Sequence, residues 1–176
     1  MSLLKSERIS LRAPEPEDLE LLFQWENNPQ WWNVGGTLVP YSRYQLKEYI
    51  AEAHRDIFDI KQLRLMVDLI EEGKTIGMVD LYDFDPYHRR AGVGILIDPL
   101  SQKKGLATEA LNLLITYAFS FLKLHQLYAH IPETNEASIH LFTRCSFVKT
   151  GVLKDWITSE KGYTDVIVMQ RINEYR

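Results

Sequence analysis

The chain has 176 residues, 45% hydrophobic and 25% charged, with 20 Lys and Arg against 24 Asp and Glu for a net charge of −4. That composition is globular rather than disordered, and at roughly 150 residues per domain it predicts one domain over the whole length. A pI near 5.7 argues against a general nucleic-acid binder, which presents a basic face. The single cysteine, Cys145, excludes an intrachain disulfide and a cysteine-built zinc cage. Neither a secretory leader nor a run of about 18 apolar residues is visible, so no membrane partner is expected and the cytoplasm is the expected home.

Strands and helices alternate. Residues 8–12 alternate polar and apolar, and Pro14 and Pro16 stop them. Pro16 opens a first helix with Glu17 and Asp18 in its first turn and Leu19, Leu22 and Phe23 at helical spacing, ended by Asn27-Asn28-Pro29. Residues 31–44, with Gly35-Gly36 and Pro40, predict a long aromatic loop, and 44–59 a second helix. A hairpin follows, 63–70 and 75–82 around Glu71-Glu72-Gly73-Lys74; then come a polar loop over 83–90 and a central strand over 91–98. Ala107, Ala110, Leu111, Leu114, Ala118 and Phe121 form one apolar stripe and predict a helix over 105–122. A strand at 126–131, a short helix at 135–145 N-capped by Asn135, and a closing hairpin of 147–158 with 163–172 complete an α/β chain.

The chemistry concentrates where the central strand ends and the long helix begins, at Gln102-Lys103-Lys104-Gly105-Leu106-Ala107. A strand that turns into a helix aims several unpaired N–H groups at one spot, and the positive end of the helix dipole favours a phosphate or pyrophosphate there. Gly105 permits the turn and Ala107 lets the helix sit close to the sheet. The alternative is an ordinary corner whose two lysines are solvated.

Gln102-x-x-Gly105-x-Ala107 resembles the Gln/Arg-x-x-Gly-x-Gly/Ala signature of the GNAT acyltransferase superfamily. Asn135-Glu136-Ala137-Ser138, then Phe142, Cys145 and Phe147, are similar to the Asn-x-x-Ser/Ala-x-x-x-Tyr…Gly-Phe segment of the same enzymes. His88-Arg89-Arg90-Ala91 resembles the branch holding spermidine N-acetyltransferases and ribosomal-protein alanine N-acetyltransferases. The resemblance implies the acyl-CoA N-acyltransferase fold, a mixed central sheet with two splayed parallel strands flanked by helices, and acetyl-CoA lying in the splay. Carried over to this chain, the backbone of Ile95, Leu96 and Ile97 would hold the pantetheine. Gln102, Lys103, Lys104, Gly105, Leu106, Ala107 and Thr108 would hold the pyrophosphate, and Asn135 and Ser138 would touch CoA from the next helix. The implied activity is acetyl transfer to a primary amine by direct attack, with no covalent enzyme intermediate. A polyamine or other small cationic amine is the leading acceptor and a protein N-terminus the second. An acyl-CoA-binding protein without activity is the reading from another class.

Two positions depart from the family pattern. The tyrosine that protonates the leaving thiolate maps to Phe142, and the glutamate that follows the Arg-Arg-Ala stretch maps to Gly92. Positioning and oxyanion stabilisation carry much of such a reaction without them. Asp83, Asp85 and His88 are the substitute candidates for moving the amine proton; the alternative for each is a solvated loop residue. No metal-ligand spacing is present. Trp31, Trp32, Tyr41 and Tyr82 are the acceptor candidates, because an aromatic wall stacks on a cation; the alternative is a loop pinned by its own tryptophans. Gly92 and Gly94 share a face of the central strand, where they either leave room for substrate or mark a bulge or close packing. Cys145 reads as a small buried hydrophobe. The Trp156 strand forms part of the opposite wall or a dimer edge, which leaves a homo-oligomer open.

Overall fold

The computed structural model describes residues 3–35, 38–160 and 162–174. Its elements are β1 (Ile9–Arg12), α1 (Leu19–Glu26), α2 (Pro29–Gly35), α3 (Arg43–Glu52), α4 (Ile57–Ile60), β2 (Leu63–Leu69), β3 (Lys74–Asp85), β4 (Arg90–Ile97), α5 (Leu106–Thr116), β5 (Gln126–Pro132), α6 (Glu136–Arg144), β6 (Val148–Ser159) and β7 (Gly162–Ile172). The strands form one sheet in the order β1-β2-β3-β4-β5-β7-β6. Every neighbouring pair is antiparallel except β4 and β5.

Each sheet face buries its own helices. Leu106, Ala110, Leu111 and Leu114 of α5, with Phe142 of α6, pack on Leu65, Val79, Leu81, Val93 and Leu127. On the other face Leu22 and Trp25 of α1 and Leu46 and Ile50 of α3 pack on Met66 and Met78. The period of two along each strand sends alternate residues to the two layers. Arg12 fastens the edge of the sheet to the turn that starts α1, reaching Asp18 at 2.7 and 2.9 Å and also bonding Asp68. Burial pushes the Asp18 carboxyl up, but the Arg12 and Glu15 hydrogen bonds outweigh it and hold the group below its ordinary value. Among the described residues no helix is long and apolar enough to cross a membrane.

Four expectations about elements need correction. The aromatic loop expected over 31–44 begins with α2, because Pro29 starts a helix as readily as it ends one and Asn28 Oδ1 accepts from Gln30 N at 3.1 Å. Gly36 of that loop, and Lys161 of the last hairpin turn, lie outside the described residues. The helix expected over 44–59 is two helices, since the Asp56 side chain accepts from Phe58 N at 2.7 Å and begins a new turn. The polar loop expected over 83–90 shrinks as β3 runs on to Asp85 and β4 starts at Arg90. The apolar stripe of the long helix fails at Phe121, which is exposed. After Thr116 the helix widens into a π turn, Leu122 N bonding Tyr117 O at 3.1 Å. That shift rotates Phe121 outward to stack on Tyr117, with centroids 5.2 Å apart.

Candidate active site

The parallel pair β4–β5 is joined only through Arg90↔Gln126, Ala91↔Leu127 and Gly92↔Tyr128. Beyond Gly92, β4 stays with β3 as far as Ile97, and β5 stays with β7 as far as Pro132. The two strands part there and leave a V-shaped gap walled by 93–97 and 129–132. Ile95 and Ile97 lean into the α5 layer and Leu96 into the α1 layer, so the gap itself is edged by main chain.

At the wide end the chain turns into α5. Gln102 Nε2 donates to Ile97 O at 2.9 Å, which fixes the turn, and Lys103 and Gly105 take φ of 62° and 78°. Glycine suits this left-handed conformation; for Lys103 it is strained. The N-terminus of α5 has no side-chain cap, whereas Ser42, Asp56 and Asn135 cap α3, α4 and α6. Exposed Lys103 and Lys104 flank the uncapped N–H groups. Arg8 Nη1 donates to Lys104 O at 3.1 Å. Glu109, the one carboxylate in the first turn of α5, is bonded by Ser6 and Arg8. Burial raises its pKa, but those bonds prevail and hold it below its ordinary value. Donors without acceptors, a free helix dipole and three nearby cations suit a pyrophosphate, with Leu106, Ala107 and Thr108 supplying the first N–H groups.

Asn135 and Ser138 stand at the start of α6. Asn135 Oδ1 accepts from Ser138 N at 3.1 Å, so the Asn135 side chain serves its own helix. Phe142 lies buried in the same helix, edge-on to Phe147 with centroids 4.9 Å apart. Cys145 is buried too, and burial pushes its thiol up, which leaves it a packing residue.

The opposite face of β2, β3 and β4 carries side chains. Arg64 on β2 holds Asp80 on β3 through two 2.8 Å bonds and also bonds Glu26 of α1. Only 11% of the Arg64 side chain is exposed. Burial disfavours its charge, but Asp80, Tyr49 and Glu26 keep it protonated. A cavity of about 220 Å³ lies beside it, lined in part by Tyr49, Glu52, Gln62 and Leu63. Burial pushes the Tyr49 phenol up to about 12. Two carboxylates, Glu26 and Asp80, thus hold one guanidinium, and a third, Glu52, lines the neighbouring cavity.

Nothing in local sequence pointed to Arg64 or Tyr49. The available signal was parity, because Arg64 and Met66 share an inward face and a charge there needs partners.

The other acceptor candidates divide. Trp32 Nε1 donates to Glu26 O at 2.9 Å, beside the Arg64 network, and its neighbour Trp31 is also half-buried on α2. Tyr41 is held through its backbone, its N–H donating to Asn27 Oδ1 at 2.7 Å. Tyr82 sits at the tip of the gap, paired in register with Gly92.

Of the proton-transfer candidates, Asp83 occupies a bulge in β3, with φ of 48°, and lies near Tyr82 and Tyr128, whose phenols burial foremost, and its charge in smaller part, pushes up. Asp85 instead accepts from His88 N at 2.9 Å and lies 3.3 Å from Arg90. The His88 bond foremost holds its carboxyl below the ordinary value. His88 is exposed and meets the Tyr87 ring edge-on.

The Acetyltransferase (GNAT) domain family matches residues 8–148. The chain belongs to this family. It is an acetyl-CoA-dependent N-acetyltransferase, and its splayed sheet is the fold that the signature at Gln102–Ala107 implied. Spermidine N(1)-acetyltransferase of Escherichia coli K12 is 33% identical over 92% of this chain and 84% of its own. A crystal structure of spermidine N-acetyltransferase from Vibrio cholerae with CoA and spermine superposes at a TM-score of 0.84. It is 31% identical and covers 95% of this chain and 96% of its own. A dodecameric structure of the Vibrio enzyme gives a TM-score of 0.79 at 31% identity, with 95% of each chain covered.

Proposed function

We propose that this acetyltransferase moves the acetyl group of acetyl-CoA to a primary amine of a polyamine or similar small polycation. Similarity to spermidine N-acetyltransferases over nearly the whole chain carries the reading. Glu26 and Asp80 on Arg64, with Glu52 lining the adjacent cavity, support it, since two paired carboxylates outweigh one guanidinium and leave that face locally negative where a cation would enter.

Acetyl-CoA brings an acyl carbon already activated as a thioester. The turn at Gln102, Lys103, Lys104 and Gly105 with the start of α5 would take its pyrophosphate, and the main chain of Ile95, Leu96 and Ile97 would line its pantetheine. The acyl end then points toward Gly92, where the gap closes. A primary amine with a pKa near 10.4 arrives protonated near pH 7. Asp83, beside the tyrosines at the tip of the gap, would attract it and take its proton through water. The amine nitrogen adds directly to the acetyl carbon. The C–S bond breaks as the nitrogen gives up its second proton to water, and the thiolate leaves without an enzyme-bound acyl group.

The same likeness supports an assembly of several copies. Trp156 and Tyr163, 60% and 68% exposed on the β6–β7 hairpin, supply apolar surface for it.

Release of free thiol from acetyl-CoA, followed with spermidine, spermine, putrescine, a simple monoamine and an alanine-initiated peptide, tests the acceptor. The expected result is a kcat/KM for a polyamine at least tenfold above that for the peptide. Turnover on the peptide alone would assign a protein N-terminus instead, and CoA binding with no turnover on any amine would leave an acyl-CoA-binding protein.

A further inference from the structure

Gly92 and Tyr82 form one unit at the tip of the gap. A Cβ built on Gly92 would stand 2.2 Å from Cε2 and 2.3 Å from Cζ of Tyr82, so the ring lies directly on bare glycine backbone. Gly94, two residues along the same face, is different: its Cβ would meet Asp80 at an ordinary 3.7 Å. The register explains why the ring falls there. Tyr82 is opposite Gly92 across β3–β4, and Gly92 is opposite Tyr128 in the last pair before β4 and β5 part. The Tyr82 ring meets Tyr128 edge-on, with centroids 6.0 Å apart and planes at 86°. The position where the family pattern has a carboxylate is therefore filled by a phenol from the neighbouring strand.

We propose that Tyr82 donates its hydroxyl hydrogen bond to the reacting acyl oxygen, supplying a donor in a chain whose position 142 has none. This rests on the acetyl-transfer reading above. As the amine nitrogen forms its bond to the acetyl carbon, the carbonyl oxygen gains negative charge, and a preorganised O–H lowers the barrier at that moment. The C–S electron pair then leaves on sulfur and the carbonyl re-forms. With its first proton already passed toward Asp83, the nitrogen gives its second to water, and Tyr82 keeps its own throughout.

The acidity of the phenol decides between donating a hydrogen bond and donating a proton. Burial, then the charges of Tyr128 and Asp83, push Tyr82 up to about 12, against the opposing His130 backbone N–H. Handing that proton to a thiolate of pKa about 8.5 is uphill by more than about a thousandfold, whereas a phenol that stays protonated is always ready to donate a hydrogen bond.

Tyr82→Phe removes the hydroxyl and keeps the ring on Gly92, so folding is preserved. With whichever amine supports turnover in the parent, kcat is expected to fall about 10²–10³-fold, with KM for acetyl-CoA within about threefold. A fall in kcat of less than tenfold overturns the proposal, as does an equal loss in Tyr128→Phe without one in Tyr82→Phe. Gly92→Ala pushes the ring aside and is expected to slow the parent at least tenfold yet to slow Tyr82→Phe hardly further. Losses that multiply would show that Gly92 acts independently of the hydroxyl and would also overturn it. A parent inactive on every amine overturns the acetyl-transfer reading together with this role; an active parent matched by Tyr82→Phe overturns this role alone.

Discussion

Along one edge of β4 and into α5, the proposed donor half of the site offers main chain: strand edge left open after Gly92, and helix N–H groups left uncapped beyond Gly105. On the proposed acceptor face of β2, β3 and β4, the site offers side chains instead, with Arg64 drawing in Glu26 from α1 and Asp80 from β3. The contrast separates two ways of making a binding surface. Backbone recognition needs only a few residues that permit a conformation, and these lie together in sequence. Side-chain recognition needs charges whose burial is tolerable only in company, and the fold must bring that company from far away.

The largest effect expected from breaking this contrast is in Arg64→Met. It leaves Glu26 and Asp80 facing each other in a half-buried site, and removing one partner from a buried ion pair costs about 3–5 kcal/mol. For a chain of this size that is a fall in Tm of roughly 6–20 °C, read by thermal unfolding. Affinity for CoA, measured calorimetrically below the transition, is expected to stay within about threefold, because the donor half does not use Arg64. Equal damage to CoA binding would show that the halves are coupled.

Gly105→Asp is the complementary change. It places a carboxylate where the open end of α5 would meet pyrophosphate, and the built Cβ finds only Arg8 Nη2 at 3.6 Å. Aspartate tolerates the left-handed backbone better than most residues, so Tm is expected to move by less than about 8 °C, the equivalent of about 1–2 kcal/mol. Affinity for CoA should fall at least tenfold, about 1.4 kcal/mol, and KM for the amine should hold. Unchanged CoA affinity would remove the α5 N-terminus from the donor site.

The same contrast governs what could be read in advance. Gln102, Gly105 and Ala107 fall within a single turn, and the strands and helices on either side have clear periodicity, so the fold was legible, and so was the turn proposed for the donor side. Arg64 lies 38 residues from Glu26 and 16 from Asp80; pairing over such distances is decided by sheet register and helix docking, which local patterns do not encode. Gly92 was legible as a missing side chain, but not as the seat of Tyr82, since that follows from β3 lying opposite β4 in one register. Phe121 was misplaced because hydrophobic spacing assumes an unbroken 3.6-residue period, and the π turn after Thr116 ends it.

The smallest expected effect comes from restoring the family's hydroxyl with Phe142→Tyr. Phe142 is 3% exposed and edge-on to Phe147. A hydroxyl added there either stays buried, costing about 1–3 kcal/mol if it finds no partner, or reaches the gap between β4 and β5. With the role proposed for the Tyr82 hydroxyl and a thiolate able to leave unprotonated, a second hydroxyl has little left to accelerate. kcat is expected to change by less than about threefold while Tm falls by a few degrees. A tenfold rise in kcat would show instead that proton delivery to the leaving sulfur limits the parent. The donor half would then be incomplete in its side chains as well as distinct in its construction.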